Sequence, residues 1–441
     1  MSWSMTSPPS FARRCQFVPP YVIERLQPDR LALDEAFRSA RAAGPHPVRE
    51  RVARGGPAWV VHTCHRTSVL PGDTVRSTGQ PASGDDAVDE AAAGITAALA
   101  LFSEIYGRDS YDGEGASVSL SVHYERGYDN AYWDGTQLVF GDGDGQFFDR
   151  FTKPVDVLGH EFTHAVTERT AGLTYAGQSG ALNESISDVF GACLKQRLLG
   201  QSADQADWLV GEGLLLPGVQ GRALRDMRNP GTAYDDPRLG QDPQAADMDG
   251  YVDTSADNGG VHTNSGIPNR AFALAAIAIG GESWLGAGRI WFDALTSGID
   301  SDIDFAGFAA ATVRVAGVHA PAVQRAWETV KVAPGPSRAD ADDSGRSGLG
   351  GHAGSSRVRV RRSGGFTGRV VEGAVDLDGG DERAAQLREL VGRVEVSVFG
   401  QQEPAPPDRY VYDFDLCGSA CRLPEQRLTP ELRRIADLVL P

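Results

Sequence analysis

Long apolar runs and cysteines are both scarce in this 441-residue chain. The longest apolar run, 271–279, is far shorter than the roughly 20 residues that a membrane-spanning helix needs. Residues 1–14 contain no apolar stretch typical of a secretory signal peptide, so we expect cytoplasmic residence by default, with export by a non-classical route as the alternative. The five cysteines, Cys15, Cys64, Cys193, Cys417 and Cys421, are too few and too scattered for a disulfide framework.

Basic residues are also in deficit. The chain has 42 Lys and Arg against 59 Asp and Glu, a net charge of −17, and its only lysines are Lys153, Lys195 and Lys331. This balance argues against nucleic acid or an anionic membrane surface as the main partner. Apolar residues make up 41% of the chain, with seven Trp and seventeen Phe, so a large core can form.

Composition divides the chain into four segments. Residues 1–60 are rich in Pro, Arg and Ala and have no room for a core, which indicates an arm or pro-segment. Residues 61–332 have strand-like patterns first and helical patterns later, an order typical of an α+β fold. Residues 333–356 contain six Gly, five Ser and two Pro, which predicts a flexible linker. The pattern of residues 357–441 predicts a small α+β domain. Local patterns predict strands at 117–124, 137–140, 357–361 and 410–416, and helices at 381–394 and from Pro430 with Thr429 as its N-cap.

The stretch that carries chemistry is Asp156-Val-Leu-Gly-His-Glu-Phe-Thr-His164. On a helix, His160 and His164 lie one turn apart on the same face, so both Nε2 atoms can reach one Zn²⁺. Glu161 lies beside them, where it can take a proton from a water molecule without binding the metal. Because a surface helix with two unrelated histidines gives the same five-residue pattern, the downstream context decides.

That context is Asn183-Glu-Ser-Ile-Ser-Asp188. Glu184, 20 residues after His164, is the candidate third ligand, and Asp188, one turn further, can accept the other N–H of a ligand histidine. Asn183 is expected to support the same ligands. Three protein ligands leave one position of a tetrahedral zinc site open for water, which is a catalytic arrangement, whereas structural sites are closed by four ligands.

Together with several other motifs in the same order, these residues resemble the thermolysin family of zinc metallopeptidases and, within it, the protealysin-like branch. The resemblance runs from about residue 60 to residue 332. It implies a β-rich N-terminal lobe, a helical C-terminal lobe and a zinc-binding helix between them above a cleft. The other matching segments are Asp129-Asn-Ala-Tyr-Trp133, Gly141-Asp-Gly-Asp-Gly145, Thr170-Ala-Gly-Leu-Thr-Tyr175, Ser179-Gly-Ala-Leu-Asn-Glu184, Leu224-Arg225 and Asp257-Asn-Gly-Gly-Val-His-Thr-Asn-Ser-Gly266.

The resemblance also implies roles for single residues. The two histidines and Glu184 bind Zn²⁺, and Glu161 acts as general base and later as proton donor. His262, oriented by Asp257, and Tyr175 stabilise the oxyanion, because the charge that develops on the carbonyl oxygen needs fixed donors.

Asn130 and Arg225 are implied to hold the substrate backbone. The positions that match the primed-side pocket are all apolar, so the scissile bond should precede a bulky hydrophobic residue. Without the resemblance, ordinary core packing would be the preferred interpretation of these residues. They are Phe148, Phe151, Val157, Val210 and Leu224.

Two positions depart from family members that have a double calcium site. Lys195 and Leu209 stand where those members have acidic groups, while Asp156, Asp207 and Glu212 remain. A lysine ammonium can replace the charge of a second cation but cannot ligate a metal. We therefore expect one structural Ca²⁺ rather than two.

Cys15-Gln-Phe-Val-Pro-Pro-Tyr21 resembles the short propeptide signature of protealysin-like precursors. Such a segment is expected to lie in the cleft and block it. A thiolate from Cys15 can fill the open zinc position, since thiolate is a good zinc ligand. The alternative is a buried thiol beside a docking motif.

The last 85 residues resemble emfourin, a small protein inhibitor of protealysin-like peptidases, through residues 362–367, 407–412 and 423–428. An inhibitor on a short tether has a local concentration on the order of millimolar. The chain would then carry its own inhibitor. The alternative is an inert appendage that aids folding.

These observations predict a zinc-dependent neutral endopeptidase for protein or peptide substrates, made as a precursor and restrained by its N-terminal segment and C-terminal domain. A second hypothesis is an inactive peptidase scaffold that only binds proteins, but the complete set of ligands, base and oxyanion donors argues against it. A third is an aminopeptidase-type zinc enzyme with the same ligand spacing. Against the third hypothesis, the sequence lacks the amine-recognition segment that such an exopeptidase has ahead of the motif.

Overall fold

The computed structural model describes residues 16–26, 56–336, 357–364, 371–377, 383–391, 410–416 and 419–440. The chain forms two compact units, Met1–Arg346 and Ser347–Pro441. None of the helices in these ranges has the length and apolar character needed to cross a membrane.

The N-terminal part of the first unit is built on a five-stranded sheet with strand order β2-β1-β3-β5-β4. Strand β3 pairs in parallel with both β1 and β5, whereas β2 and β4 are antiparallel edge strands. The strands predicted at 117–124 and 137–140 are confirmed in slightly shorter form. The strands are β1 Trp59–Thr63, β2 Asp73–Ser77, β3 Val118–Val122, β4 Ala131–Trp133 and β5 Leu138–Phe140.

Helices dominate the rest of this unit. Its main core cluster includes Trp208, Phe272, Trp291 and Trp327, and a smaller cluster of Cys64, Tyr124, Tyr128, Tyr132 and Val139 lies apart from it. The predicted α+β class is confirmed. The α-helices are α1 Pro20–Leu26, α2 Asp86–Ala100, α3 Val155–Glu168, α4 Gly177–Leu199, α5 Asp257–Asn264, α6 Gly266–Ile279, α7 Ala287–Leu295, α8 Phe305–Val315 and α9 Ala320–Thr329. Short elements lie between them: a π-helix Leu101–Ile105, 3₁₀ turns Met248–Gly250 and Gly317–His319, and two-residue strands β6 Leu209–Val210, β7 Arg225–Asp226, β8 Asp235–Asp236 and β9 Gly240–Gln241.

Helices α3 and α4 pack against each other at the centre of this unit, and glycine lets their backbones approach. A Cβ added to Gly191 on α4 would lie 2.6 Å from the carbonyl oxygen of Asp156 on α3. One added to Gly159 would lie 2.9 Å from the Cα of Gly191. The predicted metal ligands lie on these two helices, so this close approach sets the distance between them.

The second unit is a small α+β domain with its own core. Its antiparallel sheet has the order β11-β10-β12-β13, and apolar residues such as Val360, Phe414, Leu432 and Ile435 are buried together. Thr429 caps the last helix through a hydrogen bond from Leu432 N–H, as predicted. The elements are β10 Arg357–Gly364, β11 Val371–Asp376, α10 Ala384–Val391, β12 Tyr410–Leu416, β13 Ser419–Pro424, a 3₁₀ turn Glu425–Arg427 and α11 Pro430–Val439.

Gly191→Ala should force α3 and α4 apart. We expect the free energy of unfolding to fall by about 1–3 kcal/mol, the usual cost of overpacking, and zinc affinity to fall with it. Gly335→Ala is the matched control, because its added Cβ would have no neighbour closer than 3.9 Å. Chemical denaturation and competitive zinc titration test this, and equal values for the two variants would contradict it.

Candidate metal centre and active-site cleft

The three predicted zinc ligands come together in the interior. His160 and His164 lie one turn apart on α3, and Glu184 faces them from α4. The two Nε2 atoms are 2.9 Å apart, and the Glu184 carboxylate is 3.5 Å from one of them and 3.8 Å from the other. Among the described residues, this is the only group of at least three His, Cys, Asp or Glu side chains with ligand atoms so close together.

The outer nitrogen of each histidine is held by a partner on α4. His160 Nδ1 lies 2.8 Å from Asp188 Oδ1, and His164 Nδ1 lies 2.8 Å from Asn183 Oδ1 and 3.1 Å from Ser187 Oγ. These contacts aim both Nε2 atoms at the same point. The contact of Ser187 was not predicted, because nothing in the motif marks a serine.

The protonation of these donors suits a divalent cation. Burial, with the neighbouring His160, lowers the pKa of His164 to about 4, so its imidazole is neutral and can ligate. Imidazole nitrogens and a carboxylate oxygen are ligands that zinc binds. The residues present therefore fit a zinc ion with three protein ligands.

Glu161 lies next to the ligands on α3 and is fully buried. No side chain of the described residues donates a hydrogen bond to its carboxylate oxygens. The backbone N–H of Trp133 and the charges of Arg225 and His262 favour its charged form. Burial, with the nearby Glu184, raises its pKa well above the ordinary value. A buried carboxylate to which no side chain donates a hydrogen bond is costly to maintain, so stability alone does not account for its position.

The predicted oxyanion donors lie at the same centre. His262 Nδ1 is 2.7 Å from Asp257 Oδ1, and the His262 backbone N–H donates to Asp257 Oδ2 at 3.0 Å. Burial opposes a charge on His262, but Asp257 and Glu184 outweigh it and raise the pKa to about 9. The Tyr175 hydroxyl donates to Glu184 and is 3.5 Å from His262 Nε2.

Arg225 is tied to the metal centre through Asp188. Its Nε and Nη2 atoms donate to the two Asp188 oxygens at 2.8 Å each, and both residues are buried. Asn269 on α6 donates to the same carboxylate at 2.8 Å. Burial would raise the pKa of Asp188, but Arg225 and His160 outweigh it and hold the pKa well below the usual range. The Asn269 contact was not predicted, because residue 269 is 81 positions away in sequence.

Residues 16–18 occupy the cleft between these side chains. Arg225 Nη1 donates to the Phe17 carbonyl oxygen at 2.9 Å, and Asn130 Oδ1 accepts from Val18 N–H at 2.8 Å. The Gln16 carbonyl oxygen lies 3.0 Å from His262 Nε2. Blocking of the cleft by this segment was expected. The hypothesis of zinc ligation by Cys15 falls outside the described residues and stays a prediction.

The predicted pocket residues are all buried, and Phe17 is buried with them. The Phe17 ring lies 4.3 Å from the Arg225 guanidinium and 5.2 Å, edge to face, from the His160 ring. A Cβ added to Gly211 would lie 3.3 Å from the Phe17 ring and 3.7 Å from Leu224. The five predicted pocket residues, with Phe17, belong to a single apolar cluster: Phe148, Phe151, Val157, Val210 and Leu224.

Comparison with known proteins decides the family. A family model described as the thermolysin metallopeptidase catalytic domain matches residues 60–168, and one described as the thermolysin metallopeptidase alpha-helical domain matches residues 171–332. The chain belongs to the thermolysin family of metallopeptidases. Its family implies a catalytic zinc, which agrees with the donor set of His160, His164 and Glu184.

Individual relatives agree with this assignment. The chain is 47% identical over 336 residues to the extracellular metalloprotease of Pectobacterium carotovorum subsp. carotovorum, covering 72% of this chain and 96% of that protein. A solved structure, the precursor of protealysin, a metalloproteinase from Serratia proteamaculans, is 46% identical with a TM-score of 0.65 and covers 72% of this chain and 100% of its own. The thermolysin-family resemblance is confirmed, with a protealysin-like neighbour, whereas the emfourin resemblance of the C-terminal domain stays a prediction.

The expectation of cytoplasmic residence is wrong. Besides the Pectobacterium protein, the chain is 40% identical over 275 residues to the extracellular minor metalloprotease of Serratia marcescens, covering 60% of this chain and 77% of that protein. These relatives point to secretion. The missing apolar stretch bears on only one export route, so it was no basis for placing the metallopeptidase inside the cell.

The three carboxylates predicted for calcium do not form a metal-ligand group in this metallopeptidase. Lys195 Nζ lies between two of them, at 2.9 Å from Asp207 Oδ2 and 2.9 Å from Glu212 Oε2, and it donates to the Leu209 carbonyl oxygen at 3.3 Å. Asp156 is buried and accepts from Gly211 N–H at 3.0 Å. Burial, opposed by the Lys195 charge, raises the pKa of Asp156 to about 6. The ammonium thus already supplies the positive charge at this position.

Proposed function

We propose that this chain is a zinc-dependent neutral endopeptidase that acts outside the cell and cleaves peptide bonds on the N-terminal side of bulky hydrophobic residues. The observation that carries the proposal is the fully buried Glu161, whose pKa is raised, beside the gathered His160, His164 and Glu184. A binding scaffold would have no use for a buried carboxylate of raised pKa at this position.

Each side chain has a defined task in this proposal. His160, His164 and Glu184 hold zinc, which when bound supplies Lewis acidity toward a peptide carbonyl. Glu161 takes a proton from the attacking water and passes it to the leaving nitrogen. His262 and Tyr175 donate to the oxygen on which negative charge develops.

Other side chains set position and specificity. Asp257 accepts from His262 Nδ1–H, which leaves Nε2–H for the oxyanion. Asn130 and Arg225 hold the substrate backbone on the C-terminal side of the scissile bond. The apolar pocket selects a bulky hydrophobic residue there, and its occupation by Phe17 supports this specificity.

Two segments of the chain restrain the enzyme in this proposal. The pro-segment, within residues 1–60, occupies the cleft, and a solved relative is named a precursor. The C-terminal domain, 357–441, acts as a tethered inhibitor through the linker 333–356. A linker of this composition has a reach of roughly 25–30 Å, enough to cross the face of a small domain.

Glu161→Gln should abolish hydrolysis and leave zinc bound, because Glu161 lies beside the ligands and is not one of them. We expect activity on casein to fall at least about a hundredfold while metal analysis still finds one zinc per chain. Glu184→Gln is the matched comparison, since it should lower both zinc content and activity. Casein hydrolysis by a pure Glu161→Gln variant would refute the role of the base, and a zinc-loaded wild type without activity would favour the binding scaffold.

We further propose that Lys195 takes the place of the single predicted calcium. Calcium should then add little to the thermal stability of the wild type. Lys195→Ala leaves Asp207 and Glu212 without their cation, so it should lower the melting temperature. Calcium should then stabilise the variant, raising its free energy of unfolding by about 2.7 kcal/mol at a calcium concentration of a hundred times Kd. Lys153→Ala is the control variant. Thermal melts of all three proteins with calcium or with chelator test the prediction. An equally large, saturable calcium shift in the wild type would restore the original calcium prediction.

Deleting residues 334–441 should raise the activity of enzyme freed of its pro-segment. The fragment 357–441, which has its own core, should lower it again when added back. At a millimolar local concentration, even a micromolar affinity keeps the tethered site occupied, so dilution should not relieve the intact chain but should relieve inhibition by added fragment. Equal specific activity of the long and truncated forms across a dilution series would leave the domain as an appendage.

A further inference from the structure

The pro-segment meets the cleft through five consecutive backbone polar groups. The Gln16 carbonyl oxygen lies 3.0 Å from His262 Nε2, and the Phe17 N–H donates at 3.1 Å to the carbonyl oxygen of Ala131 on edge strand β4. The Phe17 carbonyl oxygen accepts from Arg225 at 2.9 Å. Val18 then exchanges two hydrogen bonds with the Asn130 side chain, of 2.8 and 3.2 Å.

This order fixes both the direction and the register of the segment. The carbonyl that faces the predicted oxyanion donor His262 belongs to Gln16. The next side chain, Phe17, is fully buried against the Arg225 guanidinium, the His160 ring and Gly211, beside Leu224 of the predicted pocket. The groups assigned to hold the substrate backbone beyond the scissile bond, Asn130 and Arg225, form hydrogen bonds with the backbone of Val18 and Phe17. Two independent features, the oxyanion donor and the pocket, thus select the same peptide bond.

We propose that the peptide bond between Gln16 and Phe17 is bound as a substrate and that the chain cleaves it itself. The proposal rests on the endopeptidase function above. Water adds to the Gln16 carbonyl carbon while Glu161 accepts its proton, the C–N bond breaks, and that proton goes to the Phe17 nitrogen. The second proton of the water passes from the new carboxyl group to the amine, so the products are a Gln16 carboxylate and a Phe17 ammonium, and no oxidant or further reactant is needed.

The cut does not by itself free the cleft. The described contacts that it releases are those of Gln16, namely the His262 contact and a 3.4 Å hydrogen bond to the Tyr128 hydroxyl. Phe17, Val18 and helix α1 stay covalently joined to the catalytic unit and keep their contacts. Cleavage therefore opens the part of the cleft on the N-terminal side of the scissile bond. Phe17 stays in place, so the product is an intermediate, and a second event must remove Phe17 and Val18 from the cleft.

The register can be tested without zinc, in the full chain carrying Glu161→Gln. Both the Phe17 and Val18 amides donate hydrogen bonds, so residue-level hydrogen exchange should find both protected. Asn130→Ala in the same background should lower the protection of the Val18 amide at least tenfold and leave that of Phe17. Free exchange of both amides in the Glu161→Gln chain would overturn the proposal.

Cleavage is tested in the full chain, purified with chelator and then loaded with zinc. Intact mass and N-terminal sequencing should show a new N-terminus at Phe17, appearing at a first-order rate that does not depend on protein concentration. Phe17→Ala should slow this cut by roughly a hundredfold, the factor expected when an aromatic side chain no longer fills its pocket, and Phe17→Leu should restore most of the rate.

Casein hydrolysis by enzyme freed of its pro-segment separates the two levels of the argument. If this enzyme hydrolyses casein and the zinc-loaded full chain never yields the Phe17 terminus, the inference fails and the endopeptidase function stands. If this enzyme has no activity on casein, the proposed function itself fails. Cleavage of Phe17→Ala at the wild-type rate and position would also overturn the inference, because the pocket would then not set the register.

Discussion

The active site depends on one buried carboxylate, Asp188. Its two oxygens accept four hydrogen bonds of 2.8 Å, from His160, from Arg225 twice and from Asn269. A metal ligand, a substrate-binding side chain and a neighbouring helix are thereby held by the same group. Removing one partner of such a buried pair typically costs 3–5 kcal/mol, so loss of Asp188 would loosen both the ligand and the substrate-binding arginine.

The charges of the site follow from this arrangement. Arg225 is buried and compensates Asp188, and His262 is kept positive by Asp257 and Glu184. At Glu161 the charges of Arg225 and His262 do not outweigh burial and the nearby Glu184, so its pKa is raised. The pKa of Asp188 is instead held low, so these two buried acidic groups differ in proton affinity, as the proposed proton transfer by Glu161 requires.

In the proposed function, the cleft uses the same side chains for restraint and for substrate. Asn130, Arg225 and His262 all contact backbone atoms of residues 16–18. Backbone contacts do not depend on the side chains of the bound peptide, so any extended segment can make them. The apolar pocket adds selectivity, and Phe17 satisfies it. A pro-segment that inhibits in this way makes the same backbone contacts with the enzyme that are proposed for a substrate.

The sequence alone determined the features that rest on local periodicity. Histidines four apart on a helix must share a face, so His160 and His164 could be paired without a structure, and Thr429 before Pro430 could be recognised as a helix cap. The strands at 118–122 and 410–416 followed from residue pattern in the same way. Glu184 could be proposed as third ligand from the acidic segment 183–188 downstream of the histidines, and the family resemblance then supported it.

Only the tertiary structure decided which distant groups meet. Arg225 and Asp188 are 37 positions apart, Asn269 and Asp188 are 81 apart, and Phe17 and Arg225 are 208 apart. No local pattern indicated that Lys195 lies between Asp207 and Glu212. Such contacts depend on how helices and loops pack over the whole unit, and because packing joins residues far apart in the chain, no local pattern encodes it.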